Sequence, residues 1–185
     1  MGRGMVRYRR EGVGKSYLEE LKNYLVNILS TDYREYLSGK LYTTWINNIG
    51  FIHRIIESPL KTIVKATIIY SGEWIGLIKD GRAYLSPFIY QEVYSKKGFK
   101  AAIVVSDKAL KNFLYGKDIL ASSIIEVYPP LYNPVAILDP IDKRVVGVAK
   151  PMVKYSLFKK YIASKSLKPI YENVYDLGLF LRFLD

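Results

Sequence analysis

Tyr17, Leu18, Leu21, Tyr24, Leu25, Ile28 and Leu29 recur at the three- and four-residue intervals that gather side chains on one face of an α-helix. Ser16 stands where an N-cap belongs and Glu19 follows three residues later, completing a capping box. A short turn is predicted over residues 32–37, and Gly39 separates it from the aromatic-rich segment 41–49. The period then changes. Residues 62–70 are β-branched and half alternating between Pro59 and Ser71-Gly72, which predicts a strand. Residues 74–79 and 82–85 flank Asp80-Gly81, the dipeptide whose positive φ angles close a tight hairpin. Ser86 and Pro87 supply an N-cap and a first-turn proline for a helix from Phe88 to Tyr94.

The second half opens with an apolar strand over residues 99–106. A helix over 107–115 follows, with Ala109, Leu110, Phe113 and Leu114 inward and Gly116 as its stop. Residues 118–121 read as another helical turn. Segments 124–128, 135–138 and 145–149 read as short strands separated by Pro129-Pro130, Asn133-Pro134, Asp139-Pro140 and Asp142-Lys143, turn signals at the spacing of a small barrel. Tyr155, Phe158, Tyr161 and Ile162 return to helical spacing. Asp176, Leu177, Leu179, Phe180, Arg182 and Phe183 predict a closing amphipathic helix that plugs one end of the barrel.

Residues 1–15 interleave Gly2, Gly4, Gly12 and Gly14 with Arg3, Arg7, Arg9 and Arg10, and are expected to form a mobile basic arm. Lys96-Lys97-Gly98 marks a domain boundary, giving an arm at 1–15, a first domain at 16–97 and a second at 98–185. A chain of 185 residues that is 50% hydrophobic can bury a real core.

The formal net charge of +11 attracts polyanions. Both halves are basic: residues 1–97 carry 15 Lys/Arg against 9 acids, and residues 98–185 carry 13 against 8. The positions of the charges therefore discriminate, not their number. Residues 143–171 hold Lys143, Arg144, Lys150, Lys154, Lys159, Lys160, Lys165 and Lys168 without one acid. A strand of strict period two from Arg144 would aim Arg144, Lys150 and Lys154 to one side, with Pro151 confining it to a sheet edge. Lys159 and Lys160 would project from the solvent side of the following helix. The expected surface is a cationic rim for RNA backbone, where Tyr155 and Tyr161 could stack bases.

Catalytic chemistry has little to work with. The chain lacks cysteine, which removes disulfides, thiolate catalysis and cysteine zinc sites. Gly14-Lys15-Ser16 resembles the tail of a phosphate loop, but the required glycine five positions earlier is Arg9, and no predicted strand precedes it. His53 is the only histidine and sits in an apolar stretch, so a structural role is favoured over a general base that needs a positioned partner. No apolar run has the ~18 to 20 residues of a membrane span, and a cytoplasmic protein is expected.

Three stretches carry a family resemblance. Residues 74–86, from Trp74 through Asp80-Gly81 to Ser86, resemble a central hairpin; residues 112–123, containing Phe113-Leu114-Tyr115-Gly116, resemble a signature turn; Asp176-Leu177-Gly178 with Leu181-Arg182 resembles a closing helix. Together they resemble large-subunit ribosome-biogenesis factors built of a pre-PUA domain and a PUA domain, the Nip-seven family of archaea and eukaryotes. The resemblance covers the last 115 or so residues well and the first 70 in helical character and length; residues 1–15 and 152–168 are longer than the family needs.

The resemblance implies an α+β protein: an N-terminal αβ pre-PUA domain with a small antiparallel sheet, then a C-terminal PUA β pseudo-barrel. It implies non-catalytic binding of precursor rRNA, single-stranded or structured, and ribosome-assembly proteins docked on the first domain. No cofactor, metal, membrane or small-molecule substrate is expected. The implied RNA contacts are Lys150, Lys154, Lys159 and Lys160, with Gly116 and Lys117 at the glycine turn; Arg144 and Lys165 join them from the basic tract. The alternatives are an RNA-binding PUA partner of a tRNA- or rRNA-modifying enzyme, a small RNA-modifying or RNA-cleaving enzyme using His53, and a protein scaffold whose charge serves solubility.

Overall fold

A computed structural model describes residues 8–54 and 72–179, and the chain divides into two compact units, residues 1–89 and 90–185. The division falls within the helix Pro87–Lys97, ahead of the boundary expected at Gly98.

The first unit is built on five antiparallel strands in sequential order: β1 (Tyr8–Gly12), β2 (Leu41–Ile46), β3 (Ile49–Arg54), β4 (Glu73–Lys79) and β5 (Arg82–Leu85). Asp80 and Gly81 turn the β4–β5 hairpin with φ of +51° and +72°, as the dipeptide predicts. β1 corrects one expectation. Part of the supposed mobile arm is a strand, with Arg9 opposite Trp45 and Arg10 opposite Thr44. Its glycines and arginines carry no strand signal, and the ordering comes from the ladder offered by β2 together with two side-chain contacts. The Glu11 carboxylate accepts from Trp45 Nε1 at 2.7 Å, and the Arg10 guanidinium lies 4.5 Å from the centre of the Tyr42 ring.

Helix α1 (Lys15–Asn23) runs directly into a π-helical turn, Tyr24–Ile28. Leu21, Leu25 and Leu29, spaced four apart, are its buried stripe. The cap is not Ser16. Gly14 stands at the N-cap, its carbonyl accepting from Tyr17 and Leu18 N–H, so the helix begins earlier than the capping-box pattern predicts. From α1 the Glu20 carboxylate accepts from the Ala83 N–H at 2.9 Å, satisfying a donor on edge strand β5. A short helix α2 (Arg34–Leu37) precedes β2. Ser86 caps α3 (Pro87–Lys97) by accepting from Ile89 N–H, while its hydroxyl donates to the Trp74 carbonyl. The strand predicted over 62–70 lies outside the described residues.

The second unit is a six-stranded sheet containing β6 (Ala102–Val105), β7 (Ile119–Leu120), β8 (Ile124–Tyr128), β9 (Val135–Leu138), β10 (Val145–Pro151) and β11 (Pro169–Asp176). Its order is β7-β11-β10-β9-β6-β8, antiparallel except for β6 against β9. The outermost strands, β7 and β8, are joined only by the 3₁₀ turn Ala121–Ser123, so the two sheet edges are drawn together into a pseudo-barrel. Ile103, Phe113, Ile119, Val135, Ile137, Phe158, Ile170 and Tyr171 fill it. Helix α4 (Asp107–Leu114) inserts Leu110 and Phe113, and α5 (Tyr155–Ala163) inserts Phe158.

Two sequence expectations fail here. Residues 118–121 are not a helical turn: Ile119 and Leu120 pair with β11, and that pairing overrides local propensity. β10 is not an edge strand, because β11 and β9 flank it on both sides, and register shifts at Val145/Gly147 and Val148/Ala149 break its period of two. Pro151 is tolerated as its last residue. Residues 180–185, with most of the predicted closing helix, lie outside the described residues. Among the described residues no helix is long and apolar enough to cross a membrane.

Candidate nucleic-acid interface

Helix α4 and the turn after it shape a groove on the second unit. Ser106 caps α4, its Oγ accepting from Ala109 N–H at 3.4 Å. At the other end the Gly116 N–H donates to Phe113 O at 2.8 Å and the Lys117 N–H to Asn112 O at 3.1 Å. These bonds, with Gly116 at φ +83°, form a Schellman stop that folds Lys117 back beside the last turn. Asp118 then anchors the chain to the barrel, its carboxylate accepting from Asn173 N–H at 3.0 Å. The Asn173 amide donates to Phe113 O and to the buried Asp176 carboxylate, tying the end of α4 to β11.

The groove encloses about 550 Å³ between Ser106, Lys108, Asn112, Lys117, Ser122, Ser123 and the segment at Leu167 and Pro169. Lys108 and Lys117 are exposed at its rim. Its far wall is stitched to the 3₁₀ turn: Ala121 and Ser122 N–H donate to the carbonyls of Lys168 and Ser166 at 3.1 and 2.9 Å. That stitch brings the end of α5 to the groove. Phe158 is buried, and Tyr161 and Ile162 pack partly buried against the core, leaving Lys159 and Lys160 on the outer surface.

The sequence-predicted contacts therefore separate into two groups. Lys154 at the N-cap of α5, Lys159, Lys160, and Lys165 just beyond its end are exposed, with no carboxylate in ion-pairing range among the described residues. Lys117 lines the groove, and Gly116 is the turn residue that precedes it. Arg144 and Lys150 stand apart. Arg144 pairs with Asp142 at 3.0 Å at the opposite end of β10, and Lys150 pairs with Glu172 at 3.0 Å, directly across the ladder. Lys143, likewise in the basic tract, pairs with Glu126. A carboxylate already supplies these three cations with what a phosphate would offer. Lys108, Asn112, Ser122 and Ser123 are groove residues that the sequence reading missed; the signature 112–123 pointed at the right loop but not at the helix face before it.

His53 is buried, 2% exposed, with Nδ1 3.3 Å from the Phe51 carbonyl oxygen and its ring stacked on Tyr42 at 6.2 Å. Burial is the main reason its pKa falls below the ordinary value, and the Arg10 charge adds to it. The unfolded chain takes up a proton near pH ~6.5 while the folded imidazole resists it. Stability is thus full above that pH and is lost as pH falls toward the depressed folded value. Urea midpoints measured at pH 7.5 and 5.5 are expected to drop with acid, and the drop to shrink in His53→Gln. An equal drop in that variant would exclude His53 as the source.

Residues 101–185 match the family model of the UPF0113 PUA domain. The second unit has the fold of a PUA domain, and the α+β architecture ahead of it is consistent with a pre-PUA domain. Among solved structures, the chain is similar to a PUA domain from Aeropyrum pernix K1 crystallised with tartrate, at 16% identity and TM-score 0.57, covering 94% of this chain and 88% of that one. A hypothetical protein from Pyrococcus horikoshii OT3 aligns at 11% identity and TM-score 0.62, covering 93% and 99%. A conserved PUA domain protein from Thermoplasma acidophilum aligns at 11% and 0.57, covering 96% and 100%. No curated protein matches the sequence.

Proposed function

We propose that this protein binds ribosomal precursor RNA, without catalysis, during assembly of the large ribosomal subunit. One observation carries the RNA part: on a PUA-like barrel, the groove at α4 adjoins the segment that follows α5, and along that helix Lys154, Lys159 and Lys160 face solvent with no carboxylate to neutralise them among the described residues. Such cations contact phosphates and release counterions. At the turn, Gly116 lacks a Cβ, which lets a strand approach the backbone closely. Ribosome assembly is supported by the resemblance of residues 74–86 and 112–123 to the pre-PUA plus PUA factors, in which the first unit would dock assembly proteins.

Crosslinking the full chain to RNA in cells, then sequencing the RNA and identifying the proteins recovered, is the test. Precursor rRNA with assembly factors is the expected result. Recovery of tRNA with a modifying enzyme would transfer the role to guiding that enzyme, and the absence of RNA would leave a protein scaffold. Turnover of bound RNA that His53→Ala abolishes while binding persists would overturn the non-catalytic assignment.

A further inference from the structure

We propose that Tyr132 and Tyr155 form a stacking platform for one unpaired base of a single-stranded RNA segment, a contact additional to the groove that rests on the RNA binding proposed above. The two side chains are 58% and 48% exposed, and their rings meet edge to face with centroids 5.9 Å apart. Lone exposed tyrosines are ordinary surface; here a single buried residue positions both. Tyr171 in β11 donates its hydroxyl to the Leu131 carbonyl at 2.9 Å, pinning the β8–β9 connection beside Tyr132. Phe158 packs edge to face on the same Tyr171 ring, centroids 5.2 Å apart, seating the helix that Tyr155 begins. Rings held in this way lose little freedom when a base stacks on them.

The surrounding charge selects the occupant. Lys154 immediately precedes Tyr155, and Lys159 lies four residues on, where a helix places neighbours on one side. Both are exposed, and neither has a carboxylate partner among the described residues. Aromatic faces interleaved with unpaired cations suit a base flanked by its phosphates. Beyond the last turn of α5, Ser166 is bonded to the groove wall at Ser122, so platform and groove occupy opposite ends of a nine-residue helix roughly 13.5 Å long. One strand can run from one to the other past Lys159.

Binding of labelled oligouridine and of a blunt RNA duplex to the full chain, followed by fluorescence anisotropy, separates the possibilities. Tyr155→Ala is expected to weaken oligouridine binding about tenfold, the typical loss for one stacked base, leaving the duplex unchanged, while Tyr155→Phe, which keeps the ring, stays near the parent protein. Tyr132→Ala, in the connection rather than the helix, is expected to give a loss of the same direction and guards against misfolding of the first variant. Equal loss on both RNAs, or none on the single strand, overturns the platform and leaves the groove standing. Displacement of oligouridine by polyglutamate at equal charge overturns it in favour of an acidic protein partner. Failure of the unaltered chain to bind any RNA removes both.

Discussion

Replacing Lys154 and Lys159 together by glutamate is expected to lower RNA affinity by roughly tenfold or more, since each exchange removes a phosphate contact and sets a like charge in its place. Neither lysine holds a carboxylate among the described residues, so the exchange breaks no ion pair, and stability should move by no more than about 0.5 kcal/mol. Counterion release adds a second readout. With two fewer phosphates neutralised, the slope of log K against log salt should flatten by about 1.4 for single-stranded RNA. Arg144→Glu is the control, because Arg144 already faces Asp142 at the other end of β10; its effect should be small. Titrations at two salt concentrations decide the matter. Unchanged affinity in the double variant, or an equal loss in the control, would place RNA elsewhere.

The contrast between those two variants shows what the sequence contained. The basic tract was legible as a composition, but a run of lysines does not state which of them a carboxylate has taken. Glu172 lies outside the tract, and only the β10–β11 register brings it to Lys150. β11 itself was illegible: Asn173, Val174, Tyr175 and Asp176 are all buried, so no alternation marks the strand, and its polar members are satisfied in a network with Phe113 O that needs the finished barrel. Most features encoded within a few residues read correctly, the Ser16 cap excepted. The Asp80-Gly81 turn, the Ser86 cap and the Gly116 stop each follow from one dihedral preference or one hydroxyl. Features owed to a distant partner did not. β1 is ordered by β2, β7 by β11, and the bulges that break the period of β10 have no local signature.

The groove depends on how α4 is seated, and Gly147→Ala is expected to show this with the largest loss of stability. Gly147 lies in β10 between Ile137 and Asp176, and a Cβ there would come within 2.5 Å of the Tyr175 carbonyl oxygen, 2.7 Å of the Phe113 ring and 2.8 Å of the Asp176 Cα. None of these neighbours can yield cheaply, since Phe113 is fully buried and the other two are backbone of a paired strand. Overpacking of this kind costs about 3 kcal/mol at its upper end, which for a chain of this size lowers the melting temperature by roughly 6 to 12 °C. The strain acts on α4 through Phe113, so the face carrying Lys108 and Asn112 should shift and RNA binding weaken even below the melting range. Gly12→Ala is the matched control: a Cβ at Gly12 meets nothing within 4 Å, and its stability should be unaltered. Thermal unfolding of both variants, with RNA titration at 25 °C, reads the two effects separately. A Gly147→Ala protein as stable as the parent would mean that neither Phe113 nor the β11 backbone is held against β10 as closely as the structure places them.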